Sequence, residues 1–256
     1  MKRIVVLQAR MGSTRLPGKV LADIGGKSML AHVIERAARI PSIDQVVVAT
    51  SIDSANEPLM DVARQLGVMS YAGSEADVLD RYYQAARLAA ADVIVRVTAD
   101  CPLLDPSVSG AVIERFCAGP FDYVSNTNPP TFPDGLDTEV FSFQALERAW
   151  RDAALTSERE HVTPFLWKNT DLFRIDNVTG ARDLSHHRWT VDDAGDLAFV
   201  RAVFASMAGR EDFGMAEVLE VLDRHPELRE LNSGKLRNEG YAKSLSEDAV
   251  VPEKRQ

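Results

Sequence analysis

Short apolar runs alternate along the first half of the chain with longer segments in which apolar residues recur three and four positions apart. The runs are rich in Val and Ile and predict buried strands at 4–7, 45–50, 68–71, 92–100 and 121–125. The longer segments predict amphipathic helices at 28–40, 57–66 and 75–90. Strands and helices that alternate at this pitch form right-handed βαβ units. The pattern therefore predicts an α/β protein with a largely parallel sheet.

The second half of the chain has a less regular pattern. Residues 126–135 are rich in Asn, Pro and Gly, and irregular segments of this length usually line a site or a subunit contact. Strands are expected at 136–143, at 171–177 and ending at 186–193, and helices at 144–153 and 157–167. A further helix is expected after Asp193, with Leu197, Val200, Phe204 and Met207 buried. Ser157 followed by Glu160 predicts a capping box. We expect one domain over residues 1–247 and a flexible tail over 248–256.

Composition excludes several classes of protein. The chain has 256 residues, of which 45% are hydrophobic and 26% charged, as is ordinary for a globular domain. Its formal charge of -9 argues against nucleic acid or an anionic membrane surface as the main partner. No apolar run approaches the roughly 20 residues that span a bilayer. The two cysteines and the absence of a signal-peptide pattern favour a reduced, cytoplasmic compartment.

A basic loop follows the first predicted strand. Residues 8–19 read Gln-Ala-Arg-Met-Gly-Ser-Thr-Arg-Leu-Pro-Gly-Lys, and the first acidic residue of the chain is Asp23. Open α/β sheets bind anions at the carboxyl ends of their strands, so we interpret this loop as a triphosphate cradle rather than as solvated surface charges. The glycine spacing is not that of a Walker loop. The predicted ligands of the nucleotide are Gln8, Ala9, Arg10, Gly12, Ser13, Arg15 and Lys19, with Arg10, Arg15 and Lys19 as catalytic residues.

Acidic residues end two other predicted strands. Asp100 follows an apolar run that is typical of a central strand, and the pair Asp192 and Asp193 precedes a predicted helix. A carboxylate beside a triphosphate needs a cation, and Mg²⁺ joins one or two carboxylates to phosphate oxygens. Asp100 has a second explanation as a turn residue before Pro102, and one aspartate of the pair is expected to cap the helix.

The basic loop resembles the opening signature of the cytidylyltransferases that activate sugar acids as CMP-sugars. The most similar branch is the spore coat polysaccharide biosynthesis protein F type. Segments 98–103, 133–141, 158–164 and 190–197 are similar to later motifs of the same family, although members often have Thr and Pro at positions 193 and 194. The resemblance implies a three-layer αβα, nucleotide-diphospho-sugar-transferase-like (Rossmann-like) fold with a mixed, mostly parallel sheet.

The resemblance also implies roles for individual residues. It implies that Mg²⁺ is bound by Asp100 and Asp192, with Asp193 as the alternative, and that Thr98 and Arg81 lie near the nucleotide. The implied acceptor-binding residues are Asp137, Glu139, Arg159 and His161. Each has a structural alternative: a helix-surface position for Arg81, a salt-bridged edge strand for Asp137 and Glu139, and local packing for Arg159 and His161.

The expected function is Mg²⁺-dependent transfer of CMP from CTP to a small sugar acid, with release of pyrophosphate, for a cell-surface or spore polysaccharide. Family members are commonly dimers, so we expect a homodimer whose contact lies within residues 126–180, near Phe132, Phe165 and Trp167. One competing function is a glycosyltransferase that uses a nucleotide-sugar donor on a similar fold. A second is a non-catalytic nucleotide-binding subunit.

Overall fold

The computed structural model describes residues 1–251, except 208, 211 and 236. Strands of the described chain form a seven-stranded sheet and a separate two-stranded hairpin. The hairpin pairs β2 (Asp23–Ile24) with β3 (Lys27–Ser28). The strands of the large sheet are β1 (Arg3–Gln8), β4 (Gln45–Ser51), β5 (Met69–Gly73), β6 (Val93–Thr98), β7 (Tyr123–Ser125), β8 (Glu139–Ser142) and β9 (Ile175–Asn177).

The large sheet is mixed and mostly parallel, as predicted. Its strand order is β5-β4-β1-β6-β8-β7-β9, and β8 alone runs antiparallel to both of its neighbours among these strands. β1 lies in parallel between β4 and β6, so that Gln8 at its end pairs in register with Thr98. The residues that follow β1 and β6 therefore emerge side by side at one edge of the sheet.

Helices cover both faces of this sheet. They are α1 (Met29–Ala37), α2 (Glu57–Gln65), α3 (Val78–Leu88), α4 (Pro106–Cys117), α5 (Phe143–Asp152), α6 (Thr156–His161), α7 (Pro164–Lys168), α8 (Ala194–Ser206), α9 (Met215–Arg224) and α10 (Glu239–Ser246). Successive side chains of a strand point to opposite faces. Val5 and Leu7 accordingly join one apolar cluster with α1, α4 and α8, whereas Ile4 and Val6 join another with α3 and α5. The predicted three-layer fold is thus confirmed, and none of the described helices has the length and apolarity needed to cross a membrane.

The predicted helix at 157–167 is two helices. α6 ends before Val162, whose φ of 72° lies in the left-handed region, and Pro164 begins α7. Proline lacks the backbone N–H that would continue the first helix, so the chain breaks before it and restarts.

The start of α6 also differs from the prediction of a Ser157–Glu160 capping box. The carboxylate of Glu158 accepts hydrogen bonds from the backbone N–H groups of Ala154 and Leu155. The Ser157 hydroxyl donates instead to Asp248, which comes from the other end of the chain. A long-range partner that no local pattern reveals therefore caps this helix.

The predicted strand that ends at 186–193 is also wrong. This segment is irregular: it forms an isolated bridge between Arg188 and Asp134, and the backbone N–H of Val191 donates to the carbonyl oxygen of Asp100 after β6. It crosses the carboxyl edge of the sheet rather than joining it, because Trp189 is fully buried while the polar side chains around it form ion pairs.

The aromatic residues of the predicted dimer contact and the predicted tail are more buried or better anchored than expected. Phe132 is packed in the core at 8% exposure, so it is not the exposed aromatic that the sequence suggested, while Phe165 and Trp167 are half-buried. Within the predicted tail, Asp248 accepts hydrogen bonds from Thr156 and Ser157 and Val250 forms a bridge with Leu155. Residues 248–251 are therefore anchored on α6, and residues 252–256 lie outside the described part of the chain.

Candidate active site

Three predicted residues from distant parts of the chain meet at the Lys19 ammonium. Lys19 follows Gly18, whose φ of 69° turns the basic loop back toward the sheet. Its Nζ donates to Asp100 Oδ2 at 2.9 Å, to Asp192 Oδ1 at 2.9 Å and to the carbonyl oxygen of Val191 at 2.7 Å. The basic loop and both acidic segments thus form one cluster at the carboxyl edge of the sheet.

The cluster is ionised at neutral pH. Burial alone would raise the pKa of Asp100, but the Lys19 ammonium and a hydrogen bond from Thr98 overcome that effect and lower it to about 2. Burial would likewise lower the pKa of Lys19, whereas Asp100 and Asp192 together raise it. At neutral pH Asp100 is therefore a carboxylate and Lys19 an ammonium ion.

Asp192 and Asp193 have different partners. Asp193 caps α8 by accepting from the backbone N–H groups of Gly195 at 2.9 Å and Asp196 at 3.1 Å, and it pairs with Lys235. Asp192 instead faces the cluster, where it also contacts Arg15 at 3.1 Å. The expectation that one aspartate of the pair caps the helix is confirmed, and the cap is Asp193.

The donor set of the cluster fits one kind of metal site. Among the described residues no group of three or more His, Cys, Asp or Glu side chains is placed to hold a metal ion. Asp100 and Asp192 nevertheless share one cation, and Mg²⁺ is commonly bound by one or two carboxylates together with waters and substrate phosphates. The residues therefore suit Mg²⁺ that arrives with a phosphate ligand, and not a closed protein cage.

Two pockets meet at this cluster. The first, which we call the basic pocket, lies over the basic loop and is lined by Gln8, Ala9, Arg10, Gly12, Ser13, Arg15, Lys19, Thr98, Asp100 and Asp192, together with residues of α6 and α10. The second, which we call the acidic pocket, also contains Arg15, Thr98, Asp100 and Asp192. A molecule in one pocket can therefore touch a molecule in the other at the cluster.

Arg81 is the one predicted nucleotide ligand that lines neither pocket. Its side chain is 0% exposed, so the alternative of a helix-surface arginine is wrong. None of its three guanidinium nitrogens has a hydrogen-bond partner among the described residues, and burial lowers its pKa. It lies below the end of β5, where a Cβ on Gly73 would come within 3.0 Å of its Cγ. Gln8 Oε1 and Thr50 Oγ1, at the ends of β1 and β4, are also buried without partners among the described residues.

The acidic pocket contains three of the four predicted acceptor residues. Asp137, Glu139 and His161 line it, whereas Arg159 lines neither pocket. Arg159 is 6% exposed and donates to Asp77 at 2.6 Å and to the carbonyl oxygen of Trp150, which is the local packing named as its alternative.

Hydrogen bonds fix the carboxylates of this pocket. Glu139 accepts from the hydroxyls of Tyr123 and Thr163, each at 2.6 Å, and pairs with Arg96. Asp137 pairs with Arg237, yet burial raises its pKa to about 7.

The imidazole of His161 contributes no positive charge to the pocket. Burial lowers its pKa, and its Nε2 lies 2.9 Å from the Ser244 hydroxyl.

Sequence reasoning missed Arg188 and the chain before and within α10. Arg188 joins Asp134 at 3.1 Å, Asp192 at 2.6 Å and Asp196 at 3.1 Å. Its spacing of four residues from Asp192 is the signal that could have pointed to it. Glu239 and Tyr241 close the acidic pocket from above, and the sequence carries no signal for that position because α10 buries none of its residues.

Comparison with known proteins finds relatives that match along most of the chain. The chain is 35% identical over 246 residues to an uncharacterised protein of Methanocaldococcus jannaschii, with 94% and 98% of the two chains covered. It is 29% identical to the spore coat polysaccharide biosynthesis protein SpsF of Bacillus subtilis, over 88% of this chain and 95% of that protein. A 3-deoxy-manno-octulosonate cytidylyltransferase of Trichlorobacter lovleyi is 38% identical over 123 residues, which is 47% of each chain.

Solved structures show the same architecture. A cytidylyltransferase from Leptospira borgpetersenii superposes with a TM-score of 0.86 and 30% identity, over 93% of this chain and 100% of that one. A CMP:2-keto-3-deoxy-manno-octonic acid synthetase complexed with CTP superposes with a TM-score of 0.62 and 20% identity, over 81% and 100%, and so shares the fold. The family model described as cytidylyltransferase matches residues 4–193, which include the basic loop, Asp100 and Asp192. The chain therefore belongs to the cytidylyltransferase family.

Proposed function

We propose that the protein transfers CMP from CTP to a hydroxyl group of a small sugar acid in a Mg²⁺-dependent reaction that releases pyrophosphate. The observation that carries this proposal is the convergence of Lys19, Asp100 and Asp192 where the two pockets meet. The triphosphate belongs in the basic pocket because that pocket is lined by the cations and N–H groups of the basic loop. The sugar belongs in the acidic pocket, whose carboxylates can accept hydrogen bonds from sugar hydroxyls.

The residues act on the reaction mainly through positioning and charge. The acceptor oxygen forms a bond to the α-phosphorus while the bond from that phosphorus to the pyrophosphate oxygen breaks. Arg10, Arg15 and Lys19 line the basic pocket, where positive charge stabilises the departing pyrophosphate, and Arg15 lines the acidic pocket as well. Asp100 and Asp192 would hold Mg²⁺, which supplies Lewis acidity and charge neutralisation. The Lys19 ammonium, which donates to both aspartates, also lines the basic pocket and would contact phosphate oxygens there.

Arg81 and Gln8 are suited to the cytosine base. Cytosine offers acceptors at its ring nitrogen and carbonyl oxygen, and its amino group is a donor. Gln8 lines the basic pocket, and its Oε1 can accept from the amino group. Arg81 is fully buried and lines neither pocket, so its unpartnered guanidinium can donate to the first two only if the base displaces the side chains that cover it. A base that supplies these bonds would remove the cost of leaving the buried groups unpaired.

A pyrophosphate-release assay tests the proposal. The purified chain is incubated with CTP, MgCl₂ and a panel of sugar acids that includes 3-deoxy-manno-octulosonate and N-acetylneuraminate. We expect pyrophosphate in proportion to CMP-sugar with at least one acceptor, and none when EDTA replaces MgCl₂. A glycosyltransferase would instead leave CTP intact and consume a nucleotide-sugar. A non-catalytic subunit would bind CTP without turnover.

We place the reaction in the cytoplasm, in the synthesis of a cell-surface or spore polysaccharide. Support for the pathway is the likeness to a protein named for spore coat polysaccharide biosynthesis. We also propose a homodimer that uses the region 126–180, where half-buried Phe165 and Trp167 remain available for contact. Light scattering at micromolar concentration tests the dimer, and a monomer there would contradict it.

A further inference from the structure

Each arginine that lines the acidic pocket is already paired with a carboxylate. Arg96 pairs with Glu139, Arg188 with Asp134, and Arg15 with Glu239. A sugar acid that enters this pocket carries a carboxylate of its own. That carboxylate must therefore replace one of the existing anions if it is to meet a positive charge.

Two of the three ion pairs cannot exchange readily. The side chains of Arg96 and Glu139 are 17% and 8% exposed, and Glu139 is also held by two hydroxyls. The Arg188 side chain is 9% exposed and lies against Asp196 at 0%. Separating a buried ion pair is strongly unfavourable because one charge is left uncompensated.

The third pair is different. Arg15 and Glu239 are 45% and 42% exposed, and Arg15 Nη1 donates to Glu239 Oε2 at 2.8 Å. An exposed pair of this kind contributes little to stability, because water and salt screen it. Glu239 begins α10, which buries none of its residues, and follows Asn238, whose φ of 59° makes a sharp turn. The Glu239 carboxylate can therefore leave Arg15 without disturbing the core.

The charges of the pocket also fix the direction in which a sugar acid lies. Asp134 and Asp137 line the acidic pocket but not the basic pocket, and their carboxylates would repel a second carboxylate and accept hydrogen bonds from hydroxyl groups. Arg15 lies at the boundary with the basic pocket. A sugar acid placed with its carboxylate on Arg15 and its hydroxyls toward Asp134 and Asp137 satisfies both ends.

We infer that Glu239 holds the place of the acceptor's carboxylate on Arg15, so that a carboxylate-bearing sugar binds by displacing Glu239. Glu239 is thereby a specificity-determining residue, because only an acceptor with an anion at this point regains the contact that Arg15 loses. This inference rests on the proposed function, and it assigns the Nη1 side of Arg15 to the acceptor rather than to the triphosphate.

The test compares the wild type with Glu239→Gln in the pyrophosphate assay. The acceptors are the sugar acid of the panel that turns over fastest and the same sugar with its carboxylate converted to a carboxamide. Since the neutral amide of the variant does not compete as an anion, KM for the sugar acid should fall by about two- to fivefold, the worth of an exposed ion pair. KM for the carboxamide and KM for CTP should stay within the range of the control.

Glu220→Gln is the control, since Glu220 is an exposed glutamate on α9 that lines neither pocket. A fall in KM for CTP alone would show that the triphosphate displaces Glu239 and would overturn the inference. An increase in KM for both acceptors, which indicates direct contact with the sugar, or no change in any KM, would also overturn it. A wild type that releases no pyrophosphate with any acceptor contradicts the proposed function instead.

Discussion

Buried charge without a partner is the feature that distinguishes single residues of this site from ordinary core residues. Arg81 is fully buried on α3 with no hydrogen bond to its guanidinium from the described residues, whereas buried Arg36 donates to two backbone carbonyl oxygens. A protein retains an unpaired buried cation at a cost in stability. This cost indicates that Arg81 is kept for a ligand. Replacing it should therefore stabilise the fold and weaken CTP binding.

Arg81→Met should raise the free energy of unfolding by about 1–3 kcal/mol, because the aliphatic stem is kept and the unpaired charge is removed. The same variant should lose CTP binding. Urea unfolding with and without CTP measures both effects. Arg87→Met, an exposed position on the same helix, should change stability by less than about 0.5 kcal/mol and leave CTP binding intact. Lower stability in Arg81→Met would mean that the guanidinium is satisfied within the protein.

His187 should make the protein sensitive to mild acid. Burial, assisted by the charges of His186 and Arg229, lowers the pKa of His187 to about 4. The unfolded chain binds this proton near pH 6.5 and the folded chain only near pH 4, so stability is full above pH 6.5 and falls as the pH drops toward 4. Because the ring is only half-buried, we expect a loss of about 1–2 kcal/mol rather than the full linkage value.

Urea unfolding of the wild type and His187→Gln at pH 7 and pH 4.5 checks this dependence. The variant should lose less stability than the wild type over that interval, by about 1–2 kcal/mol. Parallel losses in the two proteins would assign the acid sensitivity to other groups.

Among the secondary-structure elements, those buried on both faces were predicted correctly, whereas two partly exposed segments were not. β1, β4 and β6 were predicted because they are buried on both faces and read as continuous apolar runs. The segment 186–193 was mistaken for a strand because Trp189 and Val191 alternate with polar residues, which a half-buried strand also does. The break between α6 and α7 was missed although Pro164 marks it. Local pattern does not show that the polar residues face ion-pair partners from other segments.

Gly135 fixes the contact between the loop 126–138 and the segment 186–193. Its φ is 111°, and a Cβ there would lie 2.7 Å from the carbonyl carbon of Trp189 and 2.8 Å from the backbone nitrogen of Thr190. Gly135→Ala should therefore lower the free energy of unfolding by about 3 kcal/mol or more. Gly67→Ala is the matched control, since Gly67 also has a positive φ of 67° but nothing within 4 Å of the added Cβ.

The control should cost only about 1 kcal/mol, and the difference between the two variants isolates the backbone clash. Thermal unfolding of both proteins measures it. Equal destabilisation would show that the loop can move away from Trp189, in which case Asp134 and Arg188 do not depend on this contact.

For the whole molecule, the sequence predicted those site residues that directly follow a recognisable strand, but not the contact that Glu239 makes from a distant segment. The basic loop and Asp100 could be assigned because each directly follows an apolar run that predicts a strand. The preference for Asp192 over Asp193 rested on the family resemblance alone, since both precede α8 and either can cap it. Glu239 meets Arg15 across 224 positions, and no local pattern encodes a contact over that distance.

The central claim is that Asp192, and not its neighbour, works with Lys19 and Asp100 on the nucleotide. The most direct test is pyrophosphate release from CTP by Asp192→Asn and Asp193→Asn, assayed side by side with saturating Mg²⁺ and the same sugar acid. Asparagine is as good a helix cap as aspartate, so Asp193→Asn should keep activity within about tenfold of the wild type. Asp192→Asn should fall by about 100-fold or more while remaining folded by circular dichroism. Wild-type turnover in Asp192→Asn, or a larger loss in Asp193→Asn, would contradict the account.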